Sequence, residues 1–139
     1  MNITDITMQG EQLRTMDKIR DTVNDIVKAL EDKKADDVKL IDISEISDIA
    51  DYFVIATANN TSQMDAMQDA VDEYMTKAGI SAKSIEGHVR DRSNWILMDY
   101  RDIIVHIFDK EAREFYNLDR IWKDGKEISP DKETIAHSE

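Results

Sequence analysis

Apolar residues recur at three- and four-residue steps through positions 13–31: Leu13, Met16, Ile19, Val23, Ile26, Val27 and Leu30. That spacing forms one stripe of an α-helix and leaves charge on the other faces, so the helix is expected to pack by one side. The pattern then changes. Positions 38–43 alternate loosely and are rich in β-branched residues, which predicts a strand. After a short mixed link at 44–50 comes a continuous apolar or β-forming run at 52–57. A strand without polar alternation is covered on both faces, so this one is expected at the centre of a sheet with helices above and below. Helical spacing returns at Met64, Met67, Val71, Tyr74, Met75 and Ala78, preceded by candidate N-caps at Asn60, Thr61 and Ser62 and followed by Gly79 as a C-cap glycine. Methionines can make an adaptable binding surface, but a stripe at this spacing reads as core.

Three short strands follow, at 83–86, 95–99 and 102–108. Their connections are short, which favours antiparallel neighbours. Helical sequence resumes at 110–116, and Leu118, Ile121 and Trp122 close the folded part. A helix between strands implies a crossover, whereas the hairpins imply antiparallel pairs. The expected fold is therefore α/β of the α+β kind, a mixed parallel and antiparallel five-stranded sheet flanked by helices. Residues 1–12, polar and without a clear period, are expected to be a flexible lead-in, and 13–123 the domain. Residues 124–139, with Gly125, the only proline (Pro130) and many charges, are expected to be a disordered acidic tail.

Composition narrows the function classes. A chain of 139 residues suits one domain and can bury a core without covalent staples. The absence of cysteine excludes disulfides, thiolate zinc sites and a cysteine nucleophile. The formal net charge is -12, and the short Lys33-Lys34 pair is followed by Asp36-Asp37. Phosphate backbones repel such a surface, so little direct nucleic-acid contact is expected. A basic protein is the better-matched partner. The first twenty residues include Asp5, Glu11 and Asp17, hold no apolar run and are not Arg-rich. Neither a secretory signal nor an organelle transit peptide is expected there. Other apolar runs are too short to span a bilayer, so the expectation is a cytoplasmic protein with no membrane partner.

Candidate chemistry is sparse. His137 falls in the tail, and His106 shares a strand face with Ile104 and Phe108, which suits a partly buried, hydrogen-bonded imidazole. Glu86 and His88 are two ligands short of a metal site. The glycines stand far apart, so no phosphate loop forms, and there is no nucleophile elbow. Asp99 and Asp102 lie near a turn, and Asp48 and Asp51 could join them in space. Paired aspartates hold magnesium in nucleotidyl transfer, but the companion Gly-Ser turn and Asp-x-Asp pair are missing. No catalytic residue, metal or cofactor is expected. Trp95 is the more informative residue: it alternates with Leu97 on a strand whose two faces both carry large apolar groups, and Trp and Tyr dominate interface hot spots.

Three segments stand in a fixed order: Asp51-Tyr52-Phe53-Val54-Ile55; Glu86-Gly87 followed by Trp95, Asp99 and Tyr100; and Val105-His106-Ile107-Phe108 with Arg113, Phe115-Tyr116, Leu118, Asp119 and Trp122. In order and spacing they resemble the opening strand, the central segment and the closing segment of the RsfS/Iojap family of ribosomal silencing factors. The resemblance spans about residues 13–123. It implies a mixed sheet with helices, nucleotidyltransferase-like in outline but without the catalytic set. It also implies a protein that binds the large ribosomal subunit through its fourteenth ribosomal protein, hinders joining of the small subunit and lowers translation when nutrients are scarce. The contact positions it implies are Trp95, Ile96, Leu97, Met98, Asp99, Tyr100 and Arg101, and it implies a homodimer when the protein is free. Arg101 departs from the family, which usually has glycine there; glycine often supplies positive φ, and Arg101 adds a cation beside the implied docking strand. Two rival readings are a metal-dependent nucleotidyltransferase-like enzyme using Asp99, Asp102 and His106, and a dimeric scaffold with the Trp95 strand between protomers.

Overall fold

A computed structural model describes residues 3–87, 94–121 and 126–127, with side chains at 18–87 and 94–120. The chain runs α1 (Ile3–Asp32), β1 (Asp36–Asp42), β2 (Tyr52–Ala58), α2 (Thr61–Lys77), β3 (Ser84–Glu86), β4 (Trp95–Asp99), β5 (Ile103–Asp109), α3 (Lys110–Tyr116), α4 (Leu118–Ile121) and β6 (Lys126–Glu127). The expected order of elements is present. Helix α1 begins ten residues before the apolar stripe, because a stripe marks only the stretch of helix that packs. Val23, Ile26, Val27 and Leu30 carry that packing and are at most 1% exposed. At the other end, the two residues of β6 pair with Ile41 and Asp42 of β1, too short a strand to leave a period in the sequence.

Helix α2 is defined at both ends by its own sequence. The Asn60 side chain accepts a hydrogen bond from the Gln63 N–H at 2.7 Å, while Gln63 Oε1 accepts from the Asn59 N–H. This reciprocal cap satisfies donors that the first helical turn leaves open. The Gln63 amide also donates to the carbonyls of Lys33 and Lys34, tying the start of α2 to the end of α1. At the C-terminus, Gly79 takes φ +80°, Ile80 N–H bonds Met75 O and Gly79 N–H bonds Thr76 O, a Schellman closure.

The sheet order is β3-β4-β5-β2-β1-β6. Strands β2 and β5 are parallel, with α2 in the crossover; the β1–β2, β3–β4 and β4–β5 pairs are antiparallel. The mixed sheet expected from the sequence is thus observed, with β6 as a short addition. Strand β2 is central, and every residue from Phe53 to Ala58 is buried. On one face, α1 and α2 seal a core that includes Met64, Met67 and Met75, so the methionine stripe is interior. The opposite face carries a smaller core of Phe53, Ile55, Ile104 and Phe108, covered by Ile43, Ala50, Ala112 and Leu118. Among the described residues that cover comes from one loop and two short helices, while Trp95 and Leu97 of β4 stay half-buried on the same face.

Candidate docking face

Burial along β4 alternates residue by residue, as the pleat requires. Ile96 and Met98 are fully buried against the helical face, and Tyr100 is 4% exposed in the same core. Trp95 and Leu97 pack on the opposite core and remain half-buried, as does Asp99. Of the seven residues expected at a contact, Ile96, Met98 and Tyr100 therefore have their side chains in the helical core. The Tyr100 hydroxyl donates to Asp72 Oδ1 at 2.9 Å, and burial, then this bond, pushes its pKa above the usual phenol range. Trp95, Leu97, Asp99 and Arg101 form the accessible part.

Trp95 sits in an aromatic cluster. Its ring centroid lies 5.1 Å from Phe108, 4.6 Å from Tyr116 and 5.8 Å from His106. Its indole Nε1–H donates to His106 Nδ1 at 3.1 Å. His106 is 3% exposed, packs edge-on to Phe53, and burial pushes its pKa down to about 4. The strand pattern led one to expect a partly buried, hydrogen-bonded histidine, and His106 is hydrogen-bonded and more deeply buried than that. Tyr116 and Phe115 stand at the end of α3 with 38% and 81% exposure and extend the apolar surface beside Trp95. Neither stands among the contact positions expected from the sequence, and a seven-residue helix is too short for its period to show which aromatic stays outside.

Position 101 keeps the conformation glycine would favour. Arg101 has φ +73°, and Asp102 N–H bonds Tyr100 O across it, the combination typical of a strained γ-turn. Asp99 Oδ1 accepts the Arg101 N–H at 2.8 Å and supports this turn. The Arg101 side chain is exposed just beyond the end of β4.

Arg113 positions α3. Its guanidinium, 8% exposed, donates to Asp37 O at 2.9 Å, Thr57 Oγ1 at 2.8 Å and Asp119 Oδ2 at 3.1 Å. One planar cation thus joins β1, β2, α3 and α4 beneath the aromatic cluster. The aspartates of the enzymatic alternative do not assemble comparably. Asp102 is exposed in its turn while His106 is buried. Asp51 is held above the usual carboxylate range by burial, then by Asp102 and Asp42, but among the described residues no three His, Asp or Glu side chains converge as a metal site would need. His88, Trp122 and His137 lie outside the described residues. Also among the described residues, no helix is long and apolar enough to cross a membrane.

These features define a mixed-sheet α+β domain with a half-buried aromatic cluster on one sheet face. A family model described as "Ribosomal silencing factor during starvation" matches residues 16–139, and the chain belongs to that family. The family name describes a regulatory protein rather than an enzyme. The chain is similar to "Ribosomal silencing factor RsfS" of Bacillus subtilis (strain 168), with 38% identity over 96 residues, covering 69% of this chain and 80% of that protein. It is also similar to "Protein Iojap, chloroplastic" of Arabidopsis thaliana, with 30% identity over 104 residues, 75% of this chain and 42% of that longer protein. Among solved structures, a Chromobacterium violaceum protein superposes with a TM-score of 0.72 at 27% identity, covering 80% of this chain and 90% of that one. A Bacillus halodurans protein gives 0.65 at 32%, covering 75% and 92%.

Proposed function

We propose that this chain silences ribosomes by docking on the large subunit through its fourteenth ribosomal protein, which blocks the small subunit and represses translation under nutrient limitation. The observation that carries this reading is the half-buried Trp95, with Leu97 on the same face and the Tyr116 ring packed beside it at a tilt. Large rigid aromatics at the centre of a desolvated patch supply most of the affinity in typical interfaces. The net charge of -12 favours a basic ribosomal protein as the partner and disfavours the small-subunit RNA brought alongside. The setting is the cytoplasm, and the free protein is a homodimer whose exposed Phe115 and Tyr116 are candidate contacts.

Sedimentation tests this directly. The protein should co-migrate with purified large subunits and reduce the joined particles formed when small subunits are added. Trp95→Ala should weaken binding about thirtyfold, as loss of a central anchor costs about 2 kcal/mol. A folded Trp95→Ala that still co-sediments like the wild type would eliminate the anchor role. Failure of the wild type to bind at micromolar concentration would eliminate the docking reading.

A further inference from the structure

We propose that His106 is a positioning residue for docking: its Nδ1 holds the Trp95 indole in the orientation the partner receives. This rests on the docking reading above and adds to it a residue that no partner reaches, since His106 is 3% exposed.

The geometry sets the protonation pattern. The Trp95 Nε1–H is donor only, so His106 Nδ1 at 3.1 Å must be the acceptor and carry no proton. The imidazole is then the neutral form with its proton on Nε2. Burial, which depresses the pKa of this histidine, favours the same neutral form. Nε2 is itself buried and has no hydrogen-bond partner among the described residues. A buried polar atom without a partner is a cost to the fold. A leucine or phenylalanine would avoid that cost, so the position gains from histidine chiefly through the bond to Trp95.

The surroundings make the bond directional. Residue 106 pairs across the sheet with Leu97 on β4 and Ile55 on β2, and Phe53 packs edge-on at 4.7 Å, so the imidazole is fixed by strand register and packing. Phe108 and Tyr116 lie 5.1 and 4.6 Å from the indole. Tilted ring contacts restrain the χ1 and χ2 torsions of the indole only through shape; a hydrogen bond at Nε1 adds a directional restraint on both. A half-buried anchor with its orientation already set loses less entropy on binding. The cost of that order is met when the protein folds.

The test uses two variants of the full chain. His106→Phe keeps a ring but removes the acceptor. His106→Asn restores an acceptor near the Nδ1 position. The Trp95 indole N–H resonance, assigned by its absence from Trp95→Phe, reports the bond, and sedimentation with large subunits reports docking. In His106→Phe the resonance should move upfield and exchange faster with solvent, and affinity should fall about three- to tenfold, the scale of one net hydrogen bond. His106→Asn should recover both in part, which general core damage would not. An indole resonance unmoved in His106→Phe means the bond does not hold the indole and overturns the proposal. A shifted resonance with wild-type affinity overturns it too, while leaving the docking reading intact. Absence of binding by the wild type removes the docking reading and the positioning role together.

Discussion

Replacing Arg113 by alanine should cost this domain about 3 kcal/mol. The side chain makes hydrogen bonds to Asp37 O, Thr57 Oγ1 and Asp119 Oδ2, and its guanidinium is almost wholly buried. Removing one partner of a buried pair typically costs about 3–5 kcal/mol, because the remaining groups stay desolvated. Two features place the expectation at the low end. Asp119 keeps Lys39 at 3.7 Å and is 27% exposed, so water and a second cation compensate it in part. Asp37, whose carboxylate lies 3.3 Å from the guanidinium, is 60% exposed, and such pairs add little. Thr57 Oγ1 and the Asp37 carbonyl lose a donor that nothing replaces. Against a typical total of about 5–15 kcal/mol, this loss is large. It corresponds to a melting temperature lower by about 10 °C. Urea unfolding should show a lower midpoint with an unchanged slope. Arg113→Lys should recover less than half, because a single ammonium cannot reproduce the planar fork. The consequence reaches function: α3 carries Tyr116, so a loosened α3 withdraws the ring beside Trp95, and binding should weaken below the melting transition. A stability loss under about 1 kcal/mol would refute the reasoning and reduce the network to an energetically idle ion pair.

Two further outcomes follow from the backbone and from burial. Arg101→Gly should raise stability by about 0.5–1 kcal/mol, since the left-handed region costs an L-residue about 1–2 kcal/mol and glycine returns part of that as unfolded-chain entropy; a lower urea midpoint would show that the Arg101 side chain stabilises the turn by more than the strain. Stability should fall with acid through His106. Its folded pKa, about 4, lies below its unfolded value of about 6.5, so the unfolded chain binds the extra proton between these pH values. Its contribution is therefore complete above pH ~6.5 and lost as pH falls through ~4, a difference of about 3 kcal/mol. The stability gap between wild type and His106→Asn should shrink over that window, and a gap independent of pH would show that the imidazole is not buried neutral.

The local patterns stated much of this molecule in advance. The stripes of α1 and α2, the uninterrupted apolar run of β2 and the Asn60 and Gly79 caps are each set by interactions within a few residues, so periodicity and capping chemistry expose them directly. The assignment to a silencing-factor family was legible for a related reason: its motifs lie where chain geometry and core packing demand particular residues, as at Arg113 and in the strand holding His106. Other features depend on what meets what across the fold. The start of α1 ahead of its stripe, and the two-residue β6, leave no period to read. Contact positions on β4 were expected as a continuous run, and only the finished sheet divides them. A strand's alternation says that two faces exist; the helices covering one face decide that Ile96 and Met98 are core and that Trp95 and Leu97 face outward. Likewise, Tyr116 meets Trp95 where Ala112 and Arg113 pack α3 against strands whose residues lie far away in the chain. Sequence thus determined which elements form and which of their residues are apolar, because those are short-range properties. Tertiary structure decided which apolar residues remain accessible, because accessibility depends on the partners that long-range packing supplies.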